Sequence, residues 1–549
     1  MGGGRQRITA TALDTMTSTP AERESASAKQ PRDWWDNHRL VLGAILLCAL
    51  PLLWPNIPPL VDLPGHLGRY HVQIARDDVP DLREFYDFNW ALIGNLGVDL
   101  LVGPLAAVIG LEAAVKFITI LIPVLTAGGF LWVAREVHGR IPPTAFFALP
   151  LVYCYPFNFG FVNFALSMGL AFLAFAFWLR LARLGHLKLR AALFVPISIL
   201  LWVCHAFGWG TLGVMAFSAE LVRQIDLKRG FFKGGFKTGL HVLALTPPVL
   251  LMLLWRSGEH VGGFTGVWFR WKLKLDWVLM ILRDRWQYWD ETSLAIIGLV
   301  LLLPLFLFRR LEYSRNLAAS AIFLAIVFIC LPRIVFGSNY ADMRLAPYVL
   351  ATFVIAIRYR PAWIGRAGTA LAAIGLLFFA ARIGGNTASF RMYDRAYDRE
   401  LAAVAHIPEQ ARVVSFVGVR CRRQWAQTRL EHLPALALVR RNAFSNDQWS
   451  MSGAQLLTAR YPAPGDWFSR DPSQQVLGRP CRNENWATLD QSLAAFPRDR
   501  FDYVWLISPP PFDPASASGL QEVWRSGTSV LYRVADRRPL ARLAPKGSE

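Results

Sequence analysis

From residue 40 to residue 383 the chain alternates long apolar runs with short polar turns, and this alternation restricts its fold more than any other feature. Such runs suit a bilayer. No water is available there to backbone N–H and C=O groups, so each spanning segment satisfies its own hydrogen bonds as a helix. Composition agrees: 54% of the 549 residues are hydrophobic and 18% are charged, whereas soluble chains carry roughly 25% charged residues. The expected fold is a polytopic α-helical membrane protein, and no repeat of fixed period is visible.

The net charge of +19 would suit nucleic-acid binding, but its distribution argues against that. The basic residues fall in short turns between apolar runs, where orientation in the membrane accounts for them, and no zinc-finger spacing or basic DNA-reading helix accompanies them. Five basic turns stand out: Arg135, His138 and Arg140; Arg180, Arg183, Lys188 and Arg190; Arg223, Lys228, Arg229, Lys233 and Lys237; Arg309, Arg310 and Arg315; and Arg358, Arg360 and Arg366. The positive-inside rule puts all five in the cytoplasm. Arg32 and Arg39 flank the first run and put the polar arm 1–37, read as disordered, on the same side.

Eleven spans satisfy this arrangement: 39–55, 113–134, 143–156, 161–180, 191–204, 206–222, 239–255, 293–308, 317–333, 346–358 and 367–383. Segment 91–110 is apolar enough to be a twelfth, but a span there would reverse every later turn. Asn95, Asp99 and Pro104 also suit lipid poorly, so it is read as a helix in the interface or against the bundle. The transmembrane unit is thus 38–383, with outer loops 56–112, 256–292 and 334–345. The tail 384–549 follows as a small α/β domain on the outer side, the periplasm in a bacterium. Its strand-like runs are 412–417, 503–507 and 529–534, and its helical patterns include 395–405 and 489–495. Cys48, Cys154, Cys204 and Cys330 lie in apolar runs and read as inert core thiols. Cys421 and Cys481 lie in the tail and can pair if it occupies an oxidising compartment.

Candidate chemistry concentrates on the outer side. The first loop reads PNIPPLVDLPGHLGRYHVQIARDDVPDLREFYDFNW. If Asp62 opens a helix, His66 shares its face one turn on. Asp62 then reads either as a general base or metal ligand partnered by His66, or as a helix cap beside an interfacial histidine. His205, in LLWVCHAFGWG, reads as a buried functional group or as part of an aromatic belt with Trp202 and Trp209. Asn158 and Asn163 bracket the turn CYPFNFGFVNF, where they bind sugar hydroxyls or satisfy a broken helix. Asp342 and Arg344 precede a span. An Arg there suits a lipid phosphate, since guanidinium forks onto phosphate oxygens; the plainer reading is an Asp342–Arg344 ion pair. Loop 256–292 adds Glu259, His260 and a set of Arg, Lys and Trp residues suited to lipid headgroups.

Asp62 in VDLPGH, the non-spanning 91–110, the turn AREVHGR at 134–140 and the outer tail together resemble the plan of the GT-C glycosyltransferases. The resemblance is architectural and covers nearly the whole chain. It implies a polyprenyl-phosphate-linked sugar as donor, a glycan, lipid or protein as acceptor, no nucleic acid, and Asp62 as catalytic base in the inner membrane of a bacterium. The chain departs from many members in having no acidic pair at 62; Asp77–Asp78 lies further on. One Asp and one His do not specify a metal, which leaves a divalent cation open and assigns no metal ligand. The function expected is therefore an inverting transfer of a hexosyl or pentosyl group, with His205, Asn158, Asn163, Asp342, Arg344, Glu259 and His260 as candidate substrate contacts. The alternative is a non-catalytic flippase-like or export protein for cell-envelope glycans. No P-loop, GxGxxG, zinc spacing or GxSxG occurs, which argues against an ATP-driven pump or a serine hydrolase.

Overall fold

The computed structural model describes residues 33–256, 264–360, 365–421, 424–450, 455–461, 467–482 and 485–539. The arm expected at 1–37 falls largely outside them, as do Glu259 and His260.

Five helices among the described residues are long and apolar enough to cross a membrane: Leu111–His138, Val162–Arg183, Leu187–Cys204, Gln287–Phe306 and Arg366–His406. Val162–Arg183 has 22 residues, about 33 Å at 1.5 Å per residue, against a hydrocarbon core of about 30 Å. A sixth candidate joins Phe232–Leu245 to Pro247–Leu253 across a 63° bend. The other five expected spans coincide with shorter, broken or more polar helices: His38–Leu47 with Leu50–Leu53, the 3-10 helix Pro143–Tyr153, Ala206–Asp226, Arg315–Cys330 and Ala341–Ile355. The first of these breaks near Pro51. Every residue of Pro143–Tyr153 is buried, so that segment meets protein instead of lipid and needs neither the length nor the continuity of a lipid-facing helix.

The bundle has two unlike ends. At one end the basic turns are tied together: Arg135 to Asp36 at 2.6 Å, Arg183 to Glu136 at 2.8 Å, Arg315 to Asp226 at 2.5 Å and Arg358 to Glu312 at 2.8 Å. The strands Leu311–Tyr313 and Ile357–Tyr359 pair there, and the His138 Nε2–H donates to the Ile355 carbonyl at 2.8 Å. The opposite end carries Asp62, Asn163, His205 and Arg344. Segment 91–110 forms the helix Gly97–Ile109, whose 13 residues measure about 20 Å and fall short of a bilayer. Asp99 on this helix is buried against Arg69 at 3.1 Å.

The C-terminal region is built on a sheet in the order Phe444–Ser445, Arg412–Gly418, Tyr503–Ile507, Ser529–Val534, Leu520–Ser526. Its first three strands are parallel, the last two antiparallel, and Gln475–Val476 also pairs with Arg412–Gly418. The run VVSFV is buried throughout, as a central strand covered on both faces must be. Helix Leu489–Ala495 opens with a reciprocal capping box between Thr488 and Gln491. The helix Arg366–Leu401 runs without interruption past residue 383, where the hydropathy falls. Its far end receives the tail: the Tyr393 and Tyr397 hydroxyls donate to the carbonyls of Gln427 and Arg429.

The first outer loop and the tail share one core. Val72, Leu82, Phe85, Tyr86, Phe88, Ile93 and Leu96 pack with Val414, Phe416, Phe444, Leu457, Val504 and Val530. The strand Tyr86–Phe88 pairs with Leu457–Ala459. A buried ion pair, Arg429 to Asp284 at 2.6 Å, fixes the tail to the segment before Gln287–Phe306. Arg429→Leu leaves Asp284 buried and unpaired and is expected to cost about 3–5 kcal/mol, with a much smaller loss in the double variant Arg429→Leu/Asp284→Leu. Thermal unfolding of the purified protein in detergent checks this; equal losses in the two variants would contradict it.

Candidate active site

Asp62 sits where three constraints meet. Its N–H donates to the Phe159 carbonyl at 2.9 Å, and the preceding Val61 N–H donates to the Asn158 carbonyl at 3.2 Å. The turn at 158–160 closes through Gly160 (φ +103°), where a side chain would stand 2.8 Å from the Asp62 nitrogen; glycine meets both requirements. Asp62 is the N-cap of helix Leu63–Ala75, yet its carboxylate makes no capping hydrogen bond. The carboxylate is turned instead toward His432 of the tail, with 4.0 Å between Asp62 Oδ1 and His432 Nε2.

His432 is enclosed by acceptors. Its Nδ1–H donates to the Asp447 carbonyl at 3.1 Å, and the Asp447 carboxylate lies 3.7 Å from the same nitrogen. Asp471 Oδ1 is 3.9 Å from Nε2. The Trp449 ring lies between two imidazoles, 4.4 Å from His432 and 4.9 Å from His66. Trp449 reaches this position because residue 65 is glycine: a Cβ there would come within 2.7 Å of the indole.

Electrostatics follow from this enclosure. Burial pushes the Asp62 carboxyl up to about 7; His432 and Arg344 oppose the rise, and Glu431 and Asp471 add to it. Burial alone would press His432 down, but its bond to Asp447 and the charges of Asp471, Asp62 and Asp447 hold it at about 10. Burial raises both Glu431 and Asp471. His66 is driven well below its ordinary value by burial and by the Arg69 and His432 charges, so it is neutral, and its Nδ1 is buried without a partner.

A cavity of ≈ 1870 Å³ opens beside this cluster. Asp62, His66, Asn163, His205 and Arg344 all line it, joined by Glu431, Trp449 and Asp471 from the tail. Aromatic rings hold Arg344: its guanidinium lies 4.2 Å from the Phe161 ring, Nη2 donates to the Ser338 hydroxyl at 3.2 Å, and Nε is buried without a hydrogen-bond partner. Among the described residues no carboxylate stands within ion-pair distance of it. His205 caps helix Ala206–Asp226 by accepting from the Phe207 N–H at 3.1 Å.

Two candidates are not brought to the cavity. Asn158 is buried and donates to the Tyr153 carbonyl at 2.9 Å. Asp342 is buried against Lys274 at 3.4 Å, so the expected Asp342–Arg344 pair does not form. Asn163 lines the wall, but its side chain is spent locally: its amide donates to Asp99 and to the Asn95 carbonyl, and its oxygen accepts from the Val98 N–H. Cys421 and Cys481 form a disulfide, with Cα atoms 5.5 Å apart, and Cys421 lies on the cavity wall. Among the described residues no group of three or more His, Cys, Asp or Glu is disposed to hold a metal.

Sequence reasoning missed His432, Glu431, Asp447, Trp449 and Asp471. The signal present was a Glu–His pair two residues before the helix Ala435–Arg441, in a tail treated as separate from the bundle.

No protein-family model matches the sequence, and no curated protein matches it. Among solved structures the chain is similar to ArnT from Cupriavidus metallidurans bound to undecaprenyl phosphate, at 12% identity and a TM-score of 0.45. The likeness covers 90% of this chain and 96% of that one. At this level it assigns no residue a role.

Because the Gly160 turn sets the backbone of Asp62, Gly160→Ala is expected to lower stability by about 1–3 kcal/mol. A calorimetric melt of the variant checks this; an unchanged melting temperature would show that the turn tolerates a side chain.

Proposed function

We propose that this protein is a membrane glycosyltransferase that moves a sugar from a polyprenyl-phosphate donor to an acceptor hydroxyl. The single observation that carries the reading is the Asp62 carboxylate: buried, free of capping duty and on the wall of a cavity that also presents Arg344. In the proposed reaction Asp62 takes the proton of the acceptor hydroxyl as its oxygen bonds the anomeric carbon. The bond from that carbon to the phosphate oxygen breaks, and its electrons leave with the phosphate. Arg344, lacking a carboxylate partner, offsets the charge that develops there. A single displacement inverts the anomeric centre. The aromatic wall of Tyr155, Phe159, Phe161, Phe207 and Trp277 suits an isoprenoid chain and a sugar face. A purely carrying role leaves the raised carboxyl and its imidazole partner without a task.

The reading also has a direction. In this reading the basic turns lie on the cytoplasmic face and the cavity and the tail on the periplasmic side of a bacterial inner membrane; the Cys421–Cys481 disulfide supports it, since it suits an oxidising compartment. Reporter fusions at the 184–187 turn and after residue 539 are expected to report opposite compartments. A cytosolic signal from the second fusion would end the periplasmic assignment.

Transfer is tested with the full-length protein in proteoliposomes and a panel of undecaprenyl-phosphate-linked hexoses and pentoses, read as release of undecaprenyl phosphate. Asp62→Asn is expected to lower the rate at least about 100-fold, the usual scale for removing a general base. Asp62 works only when ionised, and burial holds its carboxyl near about 7. The wild-type rate is therefore low in acid and rises as pH passes through that value. A folded Asp62→Asn protein with full activity would sink the proposal.

A further inference from the structure

We infer that His432, carried by the C-terminal region, is a positioning residue whose imidazolium keeps the Asp62 carboxylate ionised, so that the tail completes the site. This rests on the transferase reading for its purpose, but the electrostatic claim stands on geometry of its own. His432 Nε2 is 4.0 Å from Asp62 and 3.9 Å from Asp471, and Nδ1–H donates to the Asp447 carbonyl at 3.1 Å. Both ring nitrogens thus face acceptors, the environment of a doubly protonated ring.

The charges around the pair make that proton consequential. Helix Leu63–Ala75 presents the neutral His66, the segment at 431–432 presents Glu431 beside His432, and the strand-end segments present Asp447 and Asp471; Arg344 faces Asp62 from the bundle, and Arg283 faces Glu431. Four carboxylates therefore crowd a buried space in which His432 and Arg344 are the cations acting on Asp62. Arg344 is held by aromatic rings and a serine, on the side of the cavity assigned to the donor phosphate. Without the imidazolium, burial and the neighbouring carboxylates would both drive Asp62 toward its protonated form, which accepts no proton from a hydroxyl.

The test uses the full-length protein in nanodiscs and a hydrophobic carbodiimide, which modifies a buried carboxyl only when it is protonated. Labelling of Asp62 is followed by mass spectrometry across pH. In wild type it should fall as pH rises. In His432→Gln its midpoint should move upward by about tenfold or more in proton concentration; His432→Arg, which keeps a cation, should stay closer to wild type. If His432→Gln does not fold, His432→Asn, which also removes the cation, is read in its place and should shift the midpoint the same way. A midpoint unchanged in the variant that folds overturns the inference. Undecaprenyl-phosphate release by the same proteins separates the two claims. An unshifted midpoint with Asp62→Asn inactive refutes His432 and leaves the transferase. A shifted midpoint with Asp62→Asn fully active refutes the transferase and leaves the pair.

Discussion

The structure depends on the apolar core shared by the first outer loop and the C-terminal sheet. Neither part closes on itself. The loop contributes Phe85, Tyr86, Phe88 and Leu96, and the sheet contributes Val414, Phe416, Phe444 and Val504. Each set would otherwise expose large apolar faces to water, so burial drives the two together. Polar contacts then set the register. Arg429 reaches Asp284, the Tyr86 hydroxyl donates to the Ser445 carbonyl at 2.7 Å, and Trp449 lies over Gly65. The tail's share of the cavity wall, about half of its polar groups, follows from that docking.

Beneath it the bundle gives the molecule a direction. Helices such as Val162–Arg183 and Ala206–Asp226 begin beside the cavity and end among the basic turns. Each turn is locked to a neighbour by an Arg–carboxylate pair. Many of these pairs are half exposed, so their individual energetic worth is small, but they keep five loops in one layer. His205 stands at the other end as the cap of Ala206–Asp226, and helix Ala341–Ile355 brings Arg344 there, where aromatic side chains hold the guanidinium. A buried cation placed by rings, without a carboxylate partner among the described residues, keeps most of its capacity to attract an anion.

Burial has opposite consequences for the groups in the cavity. It raises Asp62, Glu431 and Asp471 and depresses His66, while His432 is carried the other way by its acceptors. Pairs of groups pushed apart in this manner are what separate an acid from a base at neutral pH. Two histidines on either side of one tryptophan are thus shifted in opposite directions: burial, with the Arg69 and His432 charges, lowers His66, and the surrounding carboxylates raise His432.

The sequence by itself determined the membrane class, the single basic face and the strands at 412–417, 503–507 and 529–534, because these follow from local hydropathy, charge and period. It also singled out Asp62, His66, His205 and Arg344, each polar residue being conspicuous at the edge of an apolar run; the structure brings these four to one cavity. Hydropathy could not separate spans that face lipid from segments such as Pro143–Tyr153 that are buried in protein, since both are apolar. Nor could it tell that Asn158 and Asp342 are consumed by local partners. Only tertiary structure decided that His432, 370 residues beyond Asp62 in the chain, would stand 4.0 Å from it. That contact arises from the packing of two segments whose proximity no local pattern encodes.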